Sequence, residues 1–563
     1  LTRFREKDGI MENKRLILAI VLSFLVLVLF QVIFVKNKPE TAVQPEGPAQ
    51  AEIKSREPAE KTPLPPAVQA QKQREEVQEA QKPEEASAQS EELIVIDTPL
   101  YEAVWSNRGA SLRSWKLKMH KNEQQEELEL VSSRAAEVGR YPFSLETQDA
   151  DLDKVLNTRL YVAPTRRLSL RDGEAGEAKF EYSDGKSIKI DKTFVFYGGR
   201  YDFDIRIDLW KDGKKIDPRV IWGPGIGDPL VSGKRQQFGG GAGIAVLVAD
   251  KVHRIDQRKY KSEASAFNFI SWAAYEDNYM AALFLTPPQQ GSAIFERETQ
   301  GENFFYFLSV SLPERSYIGP KEFNRLKEFG HSAKKLINFG FFGAITEVLL
   351  ISLKFIHRYI PNWGFCIIVL TFLIKVLFFP LTYSSTRSMA RMQELQPKIK
   401  ALRAKYKKAK QDIAQRRQMN EEMMRLYKEH GINPAGGCLP MLIQIPVFWG
   451  FFRLLVVAVE LRQSPFIFWI KDLTVHDPYY VTPILMGVTQ YISQKMTPTT
   501  ADPAQAKMML IMPAVMTIFF MNFQAGLVLY WLTNNVLQIG QQYIMNRMMA
   551  KKKRESHGKR RNK

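Results

Sequence analysis

The sequence holds only two cysteines in 563 residues, Cys366 and Cys438, both in or beside apolar stretches, which excludes a disulfide scaffold. Histidine is scarce as well. The seven that occur show no HExxH or Cys/His spacing, so no metal site is readable, and no GxSxG elbow presents a nucleophile. Residues Gly227 to Lys234 (GDPLVSGK) imitate a phosphate loop, but five residues separate the glycines where four are required, and Arg235 stands where a magnesium-binding Ser or Thr belongs. The run Gly239 to Gly243 (GGGAG) lacks the ribose-binding acid and βαβ context of a dinucleotide site. Nucleotide hydrolysis, redox-cofactor chemistry and metal catalysis thus find no support, and neither an enzyme nor a cofactor is expected. Carboxylates are plentiful between 93 and 325, yet no pair is singled out for acid–base work.

What is present is basic charge and long apolar runs. Lys plus Arg number 79 against 60 Asp plus Glu, a formal +19, while 45% of residues are apolar. Residues 16–35 (LILAIVLSFLVLVLFQVIFV) carry no charge, and twenty residues at about 1.5 Å each cross a ~30 Å hydrocarbon core. The run is longer than the apolar region of a secretory signal and leads straight into Lys36-Asn37-Lys38, so it reads as an uncleaved transmembrane anchor. Met11 is a candidate translation start. Lys14 and Arg15 place residues 1–15 in the cytoplasm.

Residues 36–92, with 8 basic and 12 acidic side chains and almost no aromatics, read as a disordered linker outside the membrane. From 93 to 325 the pattern turns to alternation, clearest at Tyr201, Phe203, Ile205, Ile207 and Leu209 with Asp202, Asp204, Arg206 and Asp208 between them. Many such runs, broken by turns like Ser183-Asp184-Gly185, predict a large antiparallel β-sandwich. Apolar segments return at 336–356, 362–383, 431–459, 479–496, 508–524 and 525–546. The loop 384–430 has 13 Lys plus Arg against 5 acidic residues, and in the tail 547–563 the last thirteen residues carry 8 basic side chains and one Glu. Both are expected in the cytoplasm. Only one crossing can separate the outer β domain from that loop, so one of the two apolar segments between 336 and 383 cannot span, and 336–356, interrupted by Glu347 and Lys354, is the better candidate for lying flat. Region 326–361 is read as an interfacial helix on the outer surface. The expectation is a multi-span α-helical membrane protein with six spans, five of them a C-terminal core. Both termini are cytoplasmic, 460–478 is a periplasmic loop and 497–507 a cytoplasmic one. Within 384–430, Met389, Met392, Leu395, Ile399, Leu402 and Tyr406, then Met419, Met423 and Leu426, recur at spacings of 3 and 4, a helical hairpin.

Span direction assigns depth to polar residues. Thr371 and Lys375 fall in the middle to cytoplasmic part of 362–383; Gln490, Ser493 and Gln494 lie near the inner end of 479–496, and Gln444 near that of 431–459. Trp531, Asn534, Asn535, Gln538 and Gln542 line one helical face of 525–546. A cation in the bilayer costs about 2.5–3.5 kcal/mol on insertion scales and usually faces a wet interior. Snorkelling of Lys375 to the inner headgroups and amide glue between helices are the structural alternatives. Their coincidence at one depth favours a hydrated pocket open to the cytoplasm, suited to receiving polar segments while the substrate's own apolar segment supplies very roughly 6–12 kcal/mol of drive. A solute channel or transporter is the alternative reading, disfavoured by the mostly apolar 508–524; a membrane-anchored periplasmic carbohydrate enzyme would leave the helical core unexplained.

Asn362 to Met392 (NWGFCIIVLTFLIKVLFFPLTYSSTRSMARM), Leu395 to Lys400 (LQPKIK), Asn433 to Phe448 (NPAGGCLPMLIQIPVF), Glu460 to Met496 and Gly526 to Asn534 (GLVLYWLTN) carry a specific resemblance. Through them the chain resembles the YidC membrane protein insertases in their long Gram-negative form, over nearly its whole length. The resemblance implies a five-helix core with a hydrophilic groove closed on the periplasmic side, an N-terminal anchor and a periplasmic β-sandwich in the bacterial inner membrane. It implies nascent membrane proteins as substrates, inserted alone or beside SecYEG and associated Sec components. It also implies ribosome contact by the basic tail and cytoplasmic loops, a lipid bilayer as partner, and action as a monomer. Thr371, Lys375 and Trp531 correspond to the groove positions most tied to function, and Gln490, Gln494, Asn534, Asn535 and Gln538 complete the expected groove. Lys375 stands where the family mostly has Arg, keeping the charge without the planar fork. Gln524 stands where Pro often precedes Gly526. The β domain resembles sugar-mutarotase sandwiches, which implies no established catalysis.

Overall fold

Alternation organises the first half of the chain. In the computed structural model, which describes residues 85–561 apart from 123, 228–240, 289, 407–411, 432–438 and 498–502, strand Ile188–Tyr197 pairs antiparallel with Asp202–Lys211, from Ile188 opposite Lys211 to Phe196 opposite Phe203. Ile190, Phe194, Phe196, Phe203 and Leu209 point inward and are fully buried. The anchor 16–35, the linker as far as 84, most of the phosphate-loop imitation and Cys438 lie outside the described residues.

Residues 80–500 and 509–563 form one compact unit. Its β part contains a 13-stranded sheet and a 5-stranded sheet. The smaller runs in the order Glu127–Glu129, Ser111–Lys121, Tyr101–Ser106, Leu93–Asp97, Arg167–Ser169. Its Trp105 packs 4.3 Å from Phe194 and its Trp115 5.6 Å from Phe203, ring centroid to centroid, so the two sheets share one aromatic core. The expected all-antiparallel pairing needs one correction: Leu93–Asp97 pairs parallel with Arg167–Ser169. The intervening chain, 98–166, is long enough for a crossover, whereas a hairpin would have forced the antiparallel arrangement.

Two short helices, α1 (Arg134–Val138) and α2 (Ala150–Thr158), lie within this domain, and α3 (Phe323–Phe329) follows its last strand. The helical region then comprises α4 (Gly343–His357), α5 (Trp363–Glu394), α6 (Gln396–Lys405), α7 (Ile413–Glu429), α8 (Leu439–Val457), α9 (Val481–Met496), α10 (Pro503–Phe520) and α11 (Ala525–Arg561). Among the described residues α5 alone is long and apolar enough to cross a bilayer, and Ile443–Val457 and Met508–Phe520 are shorter apolar helices. At about 1.5 Å per residue, the 32 residues of α5 extend about 48 Å.

The apolar stretch 336–356 is helical from Gly343, behind a 3-10 turn over Ala333–Leu336. Leu349, Leu350 and Leu353 of α4 are buried, while Val348, Ile351 and Phe355 are exposed, so the helix is apolar on two faces. The charge that interrupts it turns inward: Lys354 pairs with Glu460 at 3.0 Å and Glu322 at 3.7 Å. Beyond the apolar part of α5, Met392, Leu395 and Ile399 pack with Met423 and Leu426 of α7, so the two stripes of the hairpin cover each other. The β domain is fastened to the helical region through backbone carbonyls: Arg254 donates to Lys335 O (2.7 Å) and Leu336 O (2.9 Å), and Gln463 to Lys121 O (2.9 Å), while Arg453 of α8 donates to Asn338 O (2.8 Å) in the segment that leads into α4.

Candidate functional site

A cavity of about 240 Å³ lies among α5, α8, α9 and α11. Helical period builds it. Thr371, Lys375 and Thr382 lie on one stripe of α5, and Tyr530, Trp531, Asn534, Asn535 and Gln538 on one face of α11, with Gln490 and Ser493 from α9 and Gln444 from α8 completing the polar lining. Ile374, Phe378, Leu381 and Ile443 supply the apolar remainder.

The hydrogen bonds are few and cross between helices. Lys375 Nζ donates to Gln538 Oε1 at 2.8 Å, Trp531 Nε1 to Gln490 Oε1 at 3.2 Å, and Gln444 to the Tyr530 hydroxyl. Asn535, 3% exposed, donates to Met486 O at 3.2 Å and so fixes α11 against α9. Thr371 is buried in the cavity wall and donates back to Ile367 O at 2.6 Å. Among the described residues no carboxylate lines the cavity, and no cluster of three or more His, Cys, Asp or Glu could hold a metal. The chemistry on offer is therefore one cation with amide and hydroxyl groups around a small void. That set binds and hydrates polar groups; it has no nucleophile–base pair.

Seven of the eight residues expected in the groove line this cavity: Thr371, Lys375, Gln490, Trp531, Asn534, Asn535 and Gln538. Gln494 does not; it lies one turn beyond Gln490 on α9, with its Oε1 buried and unpartnered. Tyr530 and Thr382 join the lining without having been expected. The spacing held the signal, since Tyr530 is four residues before Asn534 and Thr382 seven after Lys375, but Tyr530 reads as core when only its ring is considered.

At the other end of the bundle, where α5 and α11 begin, the loop between α8 and α9 is hydrogen-bonded to both helix starts. The turn into α11 donates from Ala525 N to Val475 O (2.6 Å) and from Gly526 N to Leu473 O (2.9 Å), and Leu473 N donates to Ser464 O (3.1 Å). Asn362, the N-cap of α5, donates its side-chain amide to Phe466 O at 2.9 Å. The loop between α8 and α9 thus stitches together the starts of α5 and α11.

Residues 355–553 match the family described as 60Kd inner membrane protein, and residues 93–352 the YidC periplasmic domain. The chain is 36% identical to the membrane protein insertase YidC of Syntrophus aciditrophicus, over 95% of this chain and 99% of that one. It is likewise 36% identical to that of Citrifermentans bemidjiense, over 96% and 100%. A crystal structure of an active YidC insertase with its first transmembrane domain resolved aligns over 82% of this chain and 94% of that one, at 18% identity and a TM-score of 0.35. With near-full-length relatives at this identity, the chain belongs to the YidC family of membrane protein insertases, inner-membrane proteins with a periplasmic domain and not enzymes.

Proposed function

We propose that the cavity lined by Lys375 is where this insertase receives the polar flanks of substrate segments from the cytoplasm before releasing the apolar part into the inner membrane. The observation that carries this reading is an ammonium with one hydrogen-bond acceptor beside open space, Lys375 on Gln538, with no carboxylate to neutralise it among the described lining residues. A membrane-buried cation costs about 2.5–3.5 kcal/mol, which selection for stability alone would remove. The wet cavity shortens the apolar barrier that a translocated tail must cross. Six spans with both termini in the cytoplasm, five forming the core around the groove of Thr371, Lys375, Gln490, Gln494, Trp531, Asn534, Asn535 and Gln538, belong to this reading. So do action as a monomer, delivery beside SecYEG and associated Sec components, and ribosome contact through the 547–563 tail, whose last thirteen residues hold a net +7. The loop bonded across the starts of α5 and α11, on the outer side in this topology, supports reception from inside over a solute channel.

The test varies charge at one position. Lys375→Arg should preserve insertion, Lys375→Ala should impair substrates with acidic translocated tails more than uncharged ones, and Lys375→Glu should be worst for the acidic set. The measurement is the inserted fraction of paired substrates differing only in tail charge, at matched insertase abundance. Equal losses for both tails would remove the electrostatic role and leave Lys375 a packing or hydration element.

A further inference from the structure

Residues 465–480, between α8 and α9, place five aromatic side chains in sixteen positions: Phe466, Phe468, Trp469, Tyr479 and Tyr480. A loop of that composition surrounded by water would bury its rings. At the tip of this one the opposite holds, with Phe468 83% exposed and Tyr479 67% exposed. Phe468 and Tyr480 also hold φ of 50° and 56°, left-handed backbone that a bulky L residue keeps only where its surroundings enforce it.

The enforcing group is Asp477, almost wholly buried. Its carboxylate accepts from Trp469 Nε1 (2.9 Å), the Tyr479 N–H (3.0 Å), and the N–H (2.8 Å) and hydroxyl (2.9 Å) of Thr482. Burial pushes this carboxyl up, but the four hydrogen bonds outweigh it and hold it below the usual carboxylate range, so the acceptor stays charged at neutral pH. Phe466 makes the second fastening. Its ring lies where a Cβ on Gly364 would stand, 2.0 Å from it, and meets Phe365 edge-on at 5.3 Å between centroids. Phe365 is itself exposed at the start of α5, as are Ile484 and Leu485 at the start of α9. The exposed rings of the loop therefore continue into apolar helix faces that hydrocarbon covers in a membrane protein.

We propose that residues 465–480 form a rigid aromatic wedge seated in the outer-leaflet interface of the bilayer, with lipid as the occupant. Phe468 and Ile467 would lie against the upper acyl chains, and Trp469, Tyr479 and the exposed Lys471 at headgroup level, the depth that amphipathic aromatics favour. The wedge is fastened to the starts of α5 and α9, the helices that carry Lys375 and Gln490, and so it sets how deep the cavity sits. This rests on the outward placement of the loop in the topology proposed above.

The test uses the full chain carrying Cys366→Ser and Cys438→Ser, with Phe468→Cys coupled to an NBD fluorophore, in vesicles of phosphatidylethanolamine and phosphatidylglycerol. Lipids bearing a nitroxide near the glycerol should quench the fluorophore strongly. Aqueous iodide should quench it about fivefold less than the same label at Lys186→Cys, an exposed turn of the β domain. Iodide quenching equal to that control overturns the wedge. Shielding from both iodide and lipid nitroxide means that a protein covers the loop, which overturns the lipid assignment. Reaction of Lys471→Cys with an impermeant maleimide in intact spheroplasts reports the outward placement separately, so a wrong topology and a wrong wedge are distinguished. Adding Asp477→Asn should raise iodide quenching of the Phe468 label severalfold at unchanged helix content; unchanged quenching would remove Asp477 as the organising group.

Discussion

The β domain encloses one lysine wholly and the helical bundle another in part, and they treat them in opposite ways. Lys192, fully enclosed in the aromatic core between the sheets, donates to Gly109 O at 2.7 Å, Phe143 O at 3.1 Å and Ala110 O at 3.4 Å, so each ammonium proton has an acceptor. Among the described residues Lys375 has one acceptor, Gln538 Oε1, and it faces a cavity of about 240 Å³. Neither pairs with a carboxylate among the described residues. A buried cation whose hydrogen bonds are all made by fixed backbone is a clasp, since nothing else can approach it. One left with open valences beside space can exchange partners, and that is what a binding site requires. The sheet supplies the first arrangement because strand carbonyls are already positioned; helices spend their carbonyls internally and leave only side chains to meet a cation.

The comparison breaks most visibly at Lys192. Lys192→Met keeps the apolar stem and strands three buried carbonyls at about 1–3 kcal/mol each, partly relieved because the charge is also gone, so a net loss of roughly 3 kcal/mol is expected. Urea unfolding of the full chain in detergent, followed by tryptophan emission, checks it. Lys375→Met should move the same transition by under ~1 kcal/mol, because the cavity tolerates the swap and lipid or water fills the space. Similar losses at both positions would erase the distinction between clasp and site.

A somewhat smaller effect is expected at the clasp's own backbone. Gly109 has φ of +65°, and a Cβ there would sit 2.6 Å from Asn157 O. Gly109→Ala combines left-handed strain with a clash against backbone and should cost about 2 kcal/mol, while displacing the carbonyl nearest Lys192. The double variant with Lys192→Met should lose less than the two singles summed, since one acceptor serves both. Full additivity would mean that the Gly109 carbonyl does not hold the ammonium.

Lys192 also gives the β domain a pH signature that Lys375 cannot imprint on it. Burial pushes the Lys192 ammonium down to about 7 from its ordinary 10.5. Between those values the unfolded chain binds more protons than the folded one, so stability rises with pH across about 7 to 10.5 and is lost as pH falls through 7. Subtracting the urea midpoints of Lys192→Met from those of the parent at pH 6.5, 8 and 9.5 isolates this contribution. A difference that stays flat would mean the carbonyls offset desolvation fully and the ammonium persists to high pH.

These contrasts also mark what was legible in the sequence. The Trp531, Asn534, Asn535 and Gln538 face could be read because 3.6-residue periodicity and a membrane background make every amide conspicuous. Lys192 could not: in IKIDKTF a lysine among alternating charges looks solvated, although Ile190 and Phe194 fix the inward parity that puts it in the core. Asp477 was equally silent, because its four donors come from residues whose closeness only the folded loop creates. Gln494 was expected beside Gln490 from its depth near the inner end of its span, and the cavity ends at Ser493 instead. Helical register names a face but not where along that face a void stops.

The smallest structural change makes the finest test: converting the site into a clasp by one atom. Gln538→Glu replaces the amide that Lys375 touches at 2.8 Å with a carboxylate of the same shape. The resulting half-buried ion pair should alter stability by no more than about 1 kcal/mol, because pairing and desolvation nearly cancel. Function should respond more than stability. With its charge neutralised in place, Lys375 attracts an acidic translocated tail far less, and insertion of acidic-tailed substrates should fall toward the level of Lys375→Ala while uncharged tails pass nearly unaffected. Gln538→Leu supplies the contrast, since it removes the single acceptor without adding charge and frees the ammonium further. Acidic tails should then insert at least as well as with the parent, at some cost in bundle stability. If Gln538→Glu and Gln538→Leu depress acidic and neutral tails alike, the amide acts through packing, and the open valences of Lys375 are not what the substrate meets.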